Sequence, residues 1–143
     1  MAGVPCTCLA LRQAARRISQ HYDQVLAPGG LRTTQFSLLL TLRRMQPVAQ
    51  GVLAAALVMD RATLGHNLRP LQDAGLVVIG PGTDRRQRVL GLTDAGETRL
   101  ATCVPLWRAA QADFTVAFGT EATQTLHDSL ARVAHMSFPA APA

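Results

Sequence analysis

The side chains with chemical reach in this sequence are three cysteines, four histidines and fourteen basic residues, every one of them arginine. Cys6 and Cys8 stand one residue apart at the start of a helical pattern, and Cys103 lies in a later, longer one. A thiol at a helix N-terminus loses its proton more readily, which opens it to oxidation or to a soft metal or metalloid. The plainer expectation makes Cys103 a small buried hydrophobe and leaves the other two on a frayed end. His21, His66, His127 and His135 are far apart and share no ligand spacing, which argues against zinc. No phosphate-binding glycine loop, nucleophile elbow or HExxH occurs, so no enzyme is expected.

The arginines carry the stronger signal. Residues 1–92 hold eleven of them against four acids, a net of +7, whereas residues 93–143 hold three against five, a net of −2. Arginine keeps its charge, and its planar fork matches phosphate and guanine edges. A basic front with a mildly acidic back suits a protein that grips a polyanion with one part and something else with the other. The composition, 48% hydrophobic over 143 residues, suffices for one domain, or one domain with a helical arm. No apolar run reaches the ~18 residues of a membrane span, so no membrane partner is expected. Arg12, Arg16 and Arg17 follow the apolar start instead of preceding it, unlike a signal peptide, and an odd cysteine count does not make a disulfide framework. The expected compartment is the cytoplasm, with thiols reduced.

These residues need elements to position them. Leu11, Ala15, Ile18, Tyr22 and Leu26 repeat at helical spacing, giving a first helix over about residues 6–26 that stops at Pro28-Gly29-Gly30. Thr33 or Thr34 is expected to cap a second helix carrying Phe36, Leu39, Leu40 and Leu42, and a short apolar helix follows over 52–58. Asp60 is a good N-cap for the next helix, with Leu64, Leu68 and Leu71 as its buried stripe and Gly75 as a left-handed stop. Pro70 should bend that helix. Residues 76–79 and 87–92 read as two strands of a hairpin around a Gly-Pro-Gly-Thr-Asp-Arg-Arg turn. A long helix, capped by Thr93 or Asp94 and open to a kink at Pro105, runs to about 118, and a last one covers 121–136 before a short Pro/Ala tail. The fold class is mainly α with a small β-hairpin wing: a winged helix-turn-helix with a helical arm.

Residues 48–92 therefore combine two short helices, a tight connection and a hairpin with a basic tip. Such a helix fits the major groove of DNA, and an arginine-tipped hairpin reaches the neighbouring minor groove or backbone. With its leucine stripe in the core, the second helix turns Arg61, Thr63, His66, Asn67 and Arg69 mostly to solvent. On the hairpin the candidates are Asp84, Arg85, Arg86 and Arg88.

Here the chain resembles the multiple-antibiotic-resistance regulator (MarR) family. The resemblance runs in order over residues 8–136 and is carried by Leu31-Arg-Thr-Thr-Gln-Phe-Ser-Leu-Leu, Asp60-Arg-Ala-Thr-Leu-Gly-His-Asn-Leu-Arg-Pro-Leu, Ala74-Gly-Leu-Val, Asp84-Arg-Arg-Gln-Arg-Val and Leu92-Thr-Asp-Ala-Gly. It implies an intertwined homodimer, with residues 1–30 and 93–143 as the helical dimerisation region and residues 31–92 as the DNA-binding domain. It implies two wings reading a palindromic operator in double-stranded DNA, with Asp84 orienting Arg86 for the minor groove. It also implies that the first helix lies beside the partner's last two, so that Cys103 could approach Cys6 and Cys8 within or across chains. Gly65 departs from a good recognition helix, because glycine is a weak helix former.

The function expected is a repressor released by thiol oxidation, by a thiol-bound metalloid (arsenic or antimony), or by a small aromatic effector. For the last, Arg16, His21, Tyr22, Phe36 and Trp107 are the pocket candidates, with ordinary core packing as the competing reading. The alternative function is a protein-interaction module that keeps the winged fold without reading DNA. The +7 front speaks against it.

Overall fold

The computed structural model describes residues 4–139, so residues 1–3 and the end of the Pro/Ala tail lie outside the described residues. Along the chain come α1 (Thr7–Leu26), a 3-10 turn (Ala27–Gly29), α2 (Thr33–Met45), β1 (Val48–Ala49), α3 (Gln50–Ala56), α4 (Arg61–Asp73), β2 (Val77–Pro81), β3 (Arg88–Leu92), α5 (Asp94–Phe118) and α6 (Thr120–Ala134). Two compact units divide the described residues, 4–110 and 111–139.

The first unit is built on leucine. Leu26, Leu39, Leu42, Leu53, Leu64, Leu68, Leu71 and Leu100 are buried together with Phe36 and Cys103. The expected α4 stripe is therefore the one that is buried. Gly75 takes φ +71°, and the chain closes behind it through Leu76 N–H donating to Leu71 O at 2.9 Å. Residues 4–17 of α1 and its lead-in remain exposed, and burial on this helix begins only toward its C-terminal end, at Tyr22 and Leu26.

The sheet has order β1-β3-β2, all antiparallel, with Val77 opposite Leu92 and Pro81 opposite Arg88 in the hairpin. The third strand, β1, was not expected, since two residues are too few to show alternation. It exists because Val48 buries itself opposite Leu90.

Three local expectations are refined. α2 is capped by neither threonine: Thr33 is its first residue, and its N–H donates to Asp23 Oδ1 of α1 at 2.7 Å. α4 continues through Pro70 and α5 through Pro105. Each proline deprives the carbonyl four residues earlier of its donor, here His66 and Ala101, and both are exposed residues where water can serve.

The turn from α5 back into the wing unit explains the Leu-Thr-x-x-Gly segment. Thr93 Oγ1 donates to Gly75 O at 2.6 Å and accepts Gly96 N–H at 3.0 Å, while Thr93 N–H donates to Leu76 O at 3.1 Å. A side chain at Gly96 would run into the Leu76 carbonyl, so only glycine lets this first turn seat there.

In the second unit, residues 111–139, Phe114 stacks on Phe118 with ring centroids 5.3 Å apart, and Gly119 turns the chain at φ +97°. Val116, Phe118, Leu130, Val133 and Met136 are exposed apolar residues of this unit.

Candidate nucleic-acid interface

α4 begins at a firm cap. Asp60 Oδ1 accepts Thr63 N–H at 2.7 Å and Oδ2 accepts the Thr63 hydroxyl at 3.0 Å. These bonds, the backbone N–H first, hold the Asp60 carboxyl below its ordinary pKa. The Thr63 hydroxyl is thereby committed to the cap as donor.

At about 100° per residue, burial of Leu64, Leu68 and Leu71 points Ala62, His66 and Arg69 directly away from the core. His66 and Arg69 are exposed accordingly. Arg61 and Asn67 lie on the flanks of the leucine stripe. Asn67 is half-buried, and its Nδ2 sits 3.7 Å from Met59 Sδ. Arg61 folds its guanidinium over Gly51 of α3, where an added Cβ would lie 2.7 Å from Nη2. Gly65 faces the same helix, its hypothetical Cβ 3.3 Å from Gln50 Nε2, so a small residue here permits the close α3–α4 approach.

The wing tip is a closed turn. Gly82 N–H donates to Gln87 O at 2.8 Å and Gln87 N–H to Asp84 O at 2.9 Å. Asp84 Oδ1 accepts the backbone N–H of Arg86 at 3.0 Å, so the acid orders the main chain at Arg86. Asp84, Arg85, Arg86 and Arg88 are all exposed.

The three thiols do not meet within one chain. Cys6 is the N-cap of α1, its Sγ accepting Leu9 N–H at 3.5 Å, and Cys6 and Cys8 are exposed. Cys103 is fully buried at the other end of α1, with its Sγ against Gly29, whose carbonyl it approaches at 3.5 Å. A helix of 20 residues separates the two places, about 30 Å at 1.5 Å per residue. Burial raises the Cys103 pKa, opposed by the charge of Arg99.

Of the five pocket candidates, Phe36 and Trp107 come together in a stacked pair, centroids 5.7 Å apart, at the core. Tyr22 is buried, which raises its phenol pKa, and it meets His21 edge-on at 6.1 Å. Arg16 is exposed, a turn and more away on α1. An open cleft of about 580 Å³ near them is lined instead by Asp23, Gln24, Ala27, Gly30, Leu31, Arg32 and Gln35.

Two residues the sequence did not single out hold this unit together. Asp23 accepts the first N–H of α2, at Thr33, and Gln46 bridges β3 and α5: its Oε1 accepts Leu92 N–H at 2.7 Å and its Nε2 donates to Glu97 Oε1 at 3.0 Å. Partners 46 and 51 residues away leave no local pattern.

A capped helix packed on a shorter one, beside a three-stranded sheet with an arginine-tipped hairpin, defines a winged helix-turn-helix regulator. Residues 29–87 match the sequence model of the MarR family. The transcriptional regulator MosR of M. tuberculosis, solved in complex with DNA, is 34% identical, with 92% of this chain and 100% of that chain covered and a TM-score of 0.76. The chain belongs to the MarR family of transcriptional regulators. The transcriptional repressor CouR, solved bound to a 23-mer DNA duplex, is 30% identical over 91% of this chain and 93% of that one, with a TM-score of 0.82. CouR has also been solved with p-coumaroyl-CoA. The HTH-type transcriptional regulator YwoH of Bacillus subtilis is 29% identical over 89 residues, 62% of this chain; the match spans 65% of YwoH.

Proposed function

We propose that this regulator is a homodimeric repressor that reads a palindromic operator in double-stranded DNA. The observation that carries the reading is the pairing, in one unit, of an outward helix face bearing His66 and Arg69 with three exposed wing arginines. α4 enters the major groove, with Arg61, Thr63 and Asn67 at the edges of its contact, and residues 84–88 meet the minor groove or backbone. The dimer is formed by residues 1–30 and 93–143. The exposed Leu9 and Leu11 of α1, and the exposed apolar residues of the second unit, support a partner on these segments.

The test is Arg86→Ala, which removes a charged contact and no core atom. A folded variant should bind its operator about 1–3 kcal/mol more weakly in a mobility-shift titration. Log affinity of the wild type should fall with log salt at a slope reflecting roughly 6–10 neutralised phosphates per dimer. Unchanged affinity in the variant, together with a flat salt dependence, returns the chain to an interaction module.

We assign the release signal to Cys6 and Cys8, exposed at the start of α1. A peroxide takes one thiolate to a sulfenic acid, and the second sulfur displaces water to close a disulfide. Cys103, walled into the core, takes no part, so a three-thiolate metalloid site is not favoured within one chain. The competing effector is a small aromatic ligand; the similar repressor CouR binds an aromatic acyl group carried on coenzyme A, p-coumaroyl-CoA. Fluorescence anisotropy with peroxide, arsenite and salicylate added in turn separates them. Peroxide should release the wild type and Cys103→Ser but not Cys8→Ser; release by salicylate alone, equal in all three, overturns the thiol assignment.

A further inference from the structure

β3 outruns its neighbour. Val48 stands opposite Leu90 and Ala49 opposite Val89, so on the side toward Leu92 the ladder with β1 stops at Val48, its first residue. Leu92, two residues beyond Leu90, presents its backbone to the same edge, where the ladder has no strand residue left to receive it. The side chain of Gln46 takes that place, accepting Leu92 N–H at 2.7 Å through Oε1. Its other end donates through Nε2 to Glu97 Oε1, 3.0 Å away in the first turn of α5. Both ends of one carboxamide are thus used, and their orientation is fixed by the partners: a backbone N–H requires the oxygen, and a carboxylate requires the nitrogen. Gln46, Leu92 and Glu97 are all half-buried, where such bonds are less exposed to competition from water than at the surface.

We propose that Gln46 is a positioning residue for the wing, its carboxamide fastening the root of β3 to the first turn of α5. The role rests on the DNA-reading function proposed above. Beyond the end of β1 the wing is a two-stranded ribbon, a form that is marginal when left to itself. Its tip at Arg86 lies roughly 15–20 Å from Leu92 at about 3.3 Å per residue. A swing of about 10° at the root therefore moves the arginines by about 3 Å, a hydrogen bond's length. The clamp keeps that angle narrow, so that the guanidinium groups meet the groove already aimed.

The bond pattern supplies its own rescue. In Q46E the introduced carboxylate still accepts Leu92 N–H but faces Glu97 with like charge. In the double variant Q46E/E97Q donor and acceptor are exchanged, the new carboxylate accepting from the new amide, and the clamp closes again. The probe is a duplex selected from a randomised pool by the wild-type protein, with Arg86→Ala as reference. Folded Q46E should bind it about fivefold to a hundredfold more weakly, no worse than Arg86→Ala. Adding Arg86→Ala to Q46E should cost little more, because the wing is already misdirected. The double variant should return to within about twofold of wild type. Gln46→Ala, which removes both bonds without adding charge, should weaken binding in the same direction and stands in if Q46E does not fold. Wild-type affinity in folded Q46E, no rescue in the double variant, or full additivity with Arg86→Ala each overturns the positioning role. Should the wild type select no duplex, it is the DNA-reading function that fails. Amide exchange then decides for the clamp: faster exchange at Leu92 and along β3 in Q46E, reversed in the double variant, upholds it, and unchanged exchange ends it.

Discussion

Gly96→Ala sets two effects of opposite sign against each other. In an ordinary helix the change would stabilise by about 1 kcal/mol, since alanine is the better helix former. Here the added Cβ meets the Leu76 carbonyl, with its oxygen well inside van der Waals contact and its carbon at 3.1 Å. The obstacle is backbone and cannot rotate aside, so the first turn of α5 must lift off the corner between α4 and β2. Lifting it stretches the bonds from Thr93 N–H to Leu76 O and from the Thr93 hydroxyl to Gly75 O, now 3.1 and 2.6 Å. At about 1 kcal/mol each these amount to ~2 kcal/mol, and loosened packing beside Leu100 adds up to about 1 more. Set against the helix gain of ~1 kcal/mol, the net expectation is a loss of about 1–2 kcal/mol. Urea unfolding of wild type and variant at matched protein concentration measures it, since any dimer makes apparent stability concentration-dependent. A variant as stable as the wild type, or more stable by the helix term, would refute the close-approach account of this glycine.

The remaining predictions concern the two ends of the helix-turn-helix connection. Hydrogen bonds to the ionised form hold the Asp60 carboxyl below its ordinary value, so its stabilisation is present above the usual carboxylate range and is lost as pH falls through the lowered folded value. The stability gap between wild type and Asp60→Ala, followed by urea unfolding from pH 7 to pH 3, should therefore narrow; a constant gap would mean the cap does not act through the charged carboxylate. Val58, between α3 and α4, holds φ +54° and is 71% exposed. A β-branched residue there carries strain of order 1–3 kcal/mol, so Val58→Asn should raise stability by about 1 kcal/mol, and an unchanged or lowered unfolding midpoint would show the strain is absent.

Much of the winged unit was legible because its determinants are local. The spacing of Leu64, Leu68 and Leu71 specifies a buried face, Asp60 three residues before Thr63 specifies a cap, and Gly75 specifies a left-handed stop. The interactions that were missed join distant parts of the chain: Gln46 to Glu97, Asp23 to Thr33, and Cys103 to Gly29. None leaves a periodic trace, and each involves a residue type common on any surface. β1 escaped for a related reason, because a strand of two residues is defined by its partner and not by its own pattern.

The candidate DNA-contact set shows where local inference stops. A sequence identifies the polar residues of a helix, but how the helix is turned about its axis decides which of them lead. Adjacent residues differ by about 100°, so a choice between His66 and Asn67 depends on which leucines the core accepts. With Leu64 and Leu68 fully inside, Asn67 falls at the margin and bonds to Met59, leaving His66 and Arg69 in front. Arg61 is turned further by the absence of a side chain at Gly51, which lets its guanidinium lie along α3. Of the five α4 residues that the pattern nominates, Asn67 and Arg61 are thus drawn toward the protein and the Thr63 hydroxyl is tied to the cap. On the proposed DNA-reading function, His66 and Arg69 are therefore the α4 side chains best placed to meet base edges, with the exposed arginines of the wing beside them.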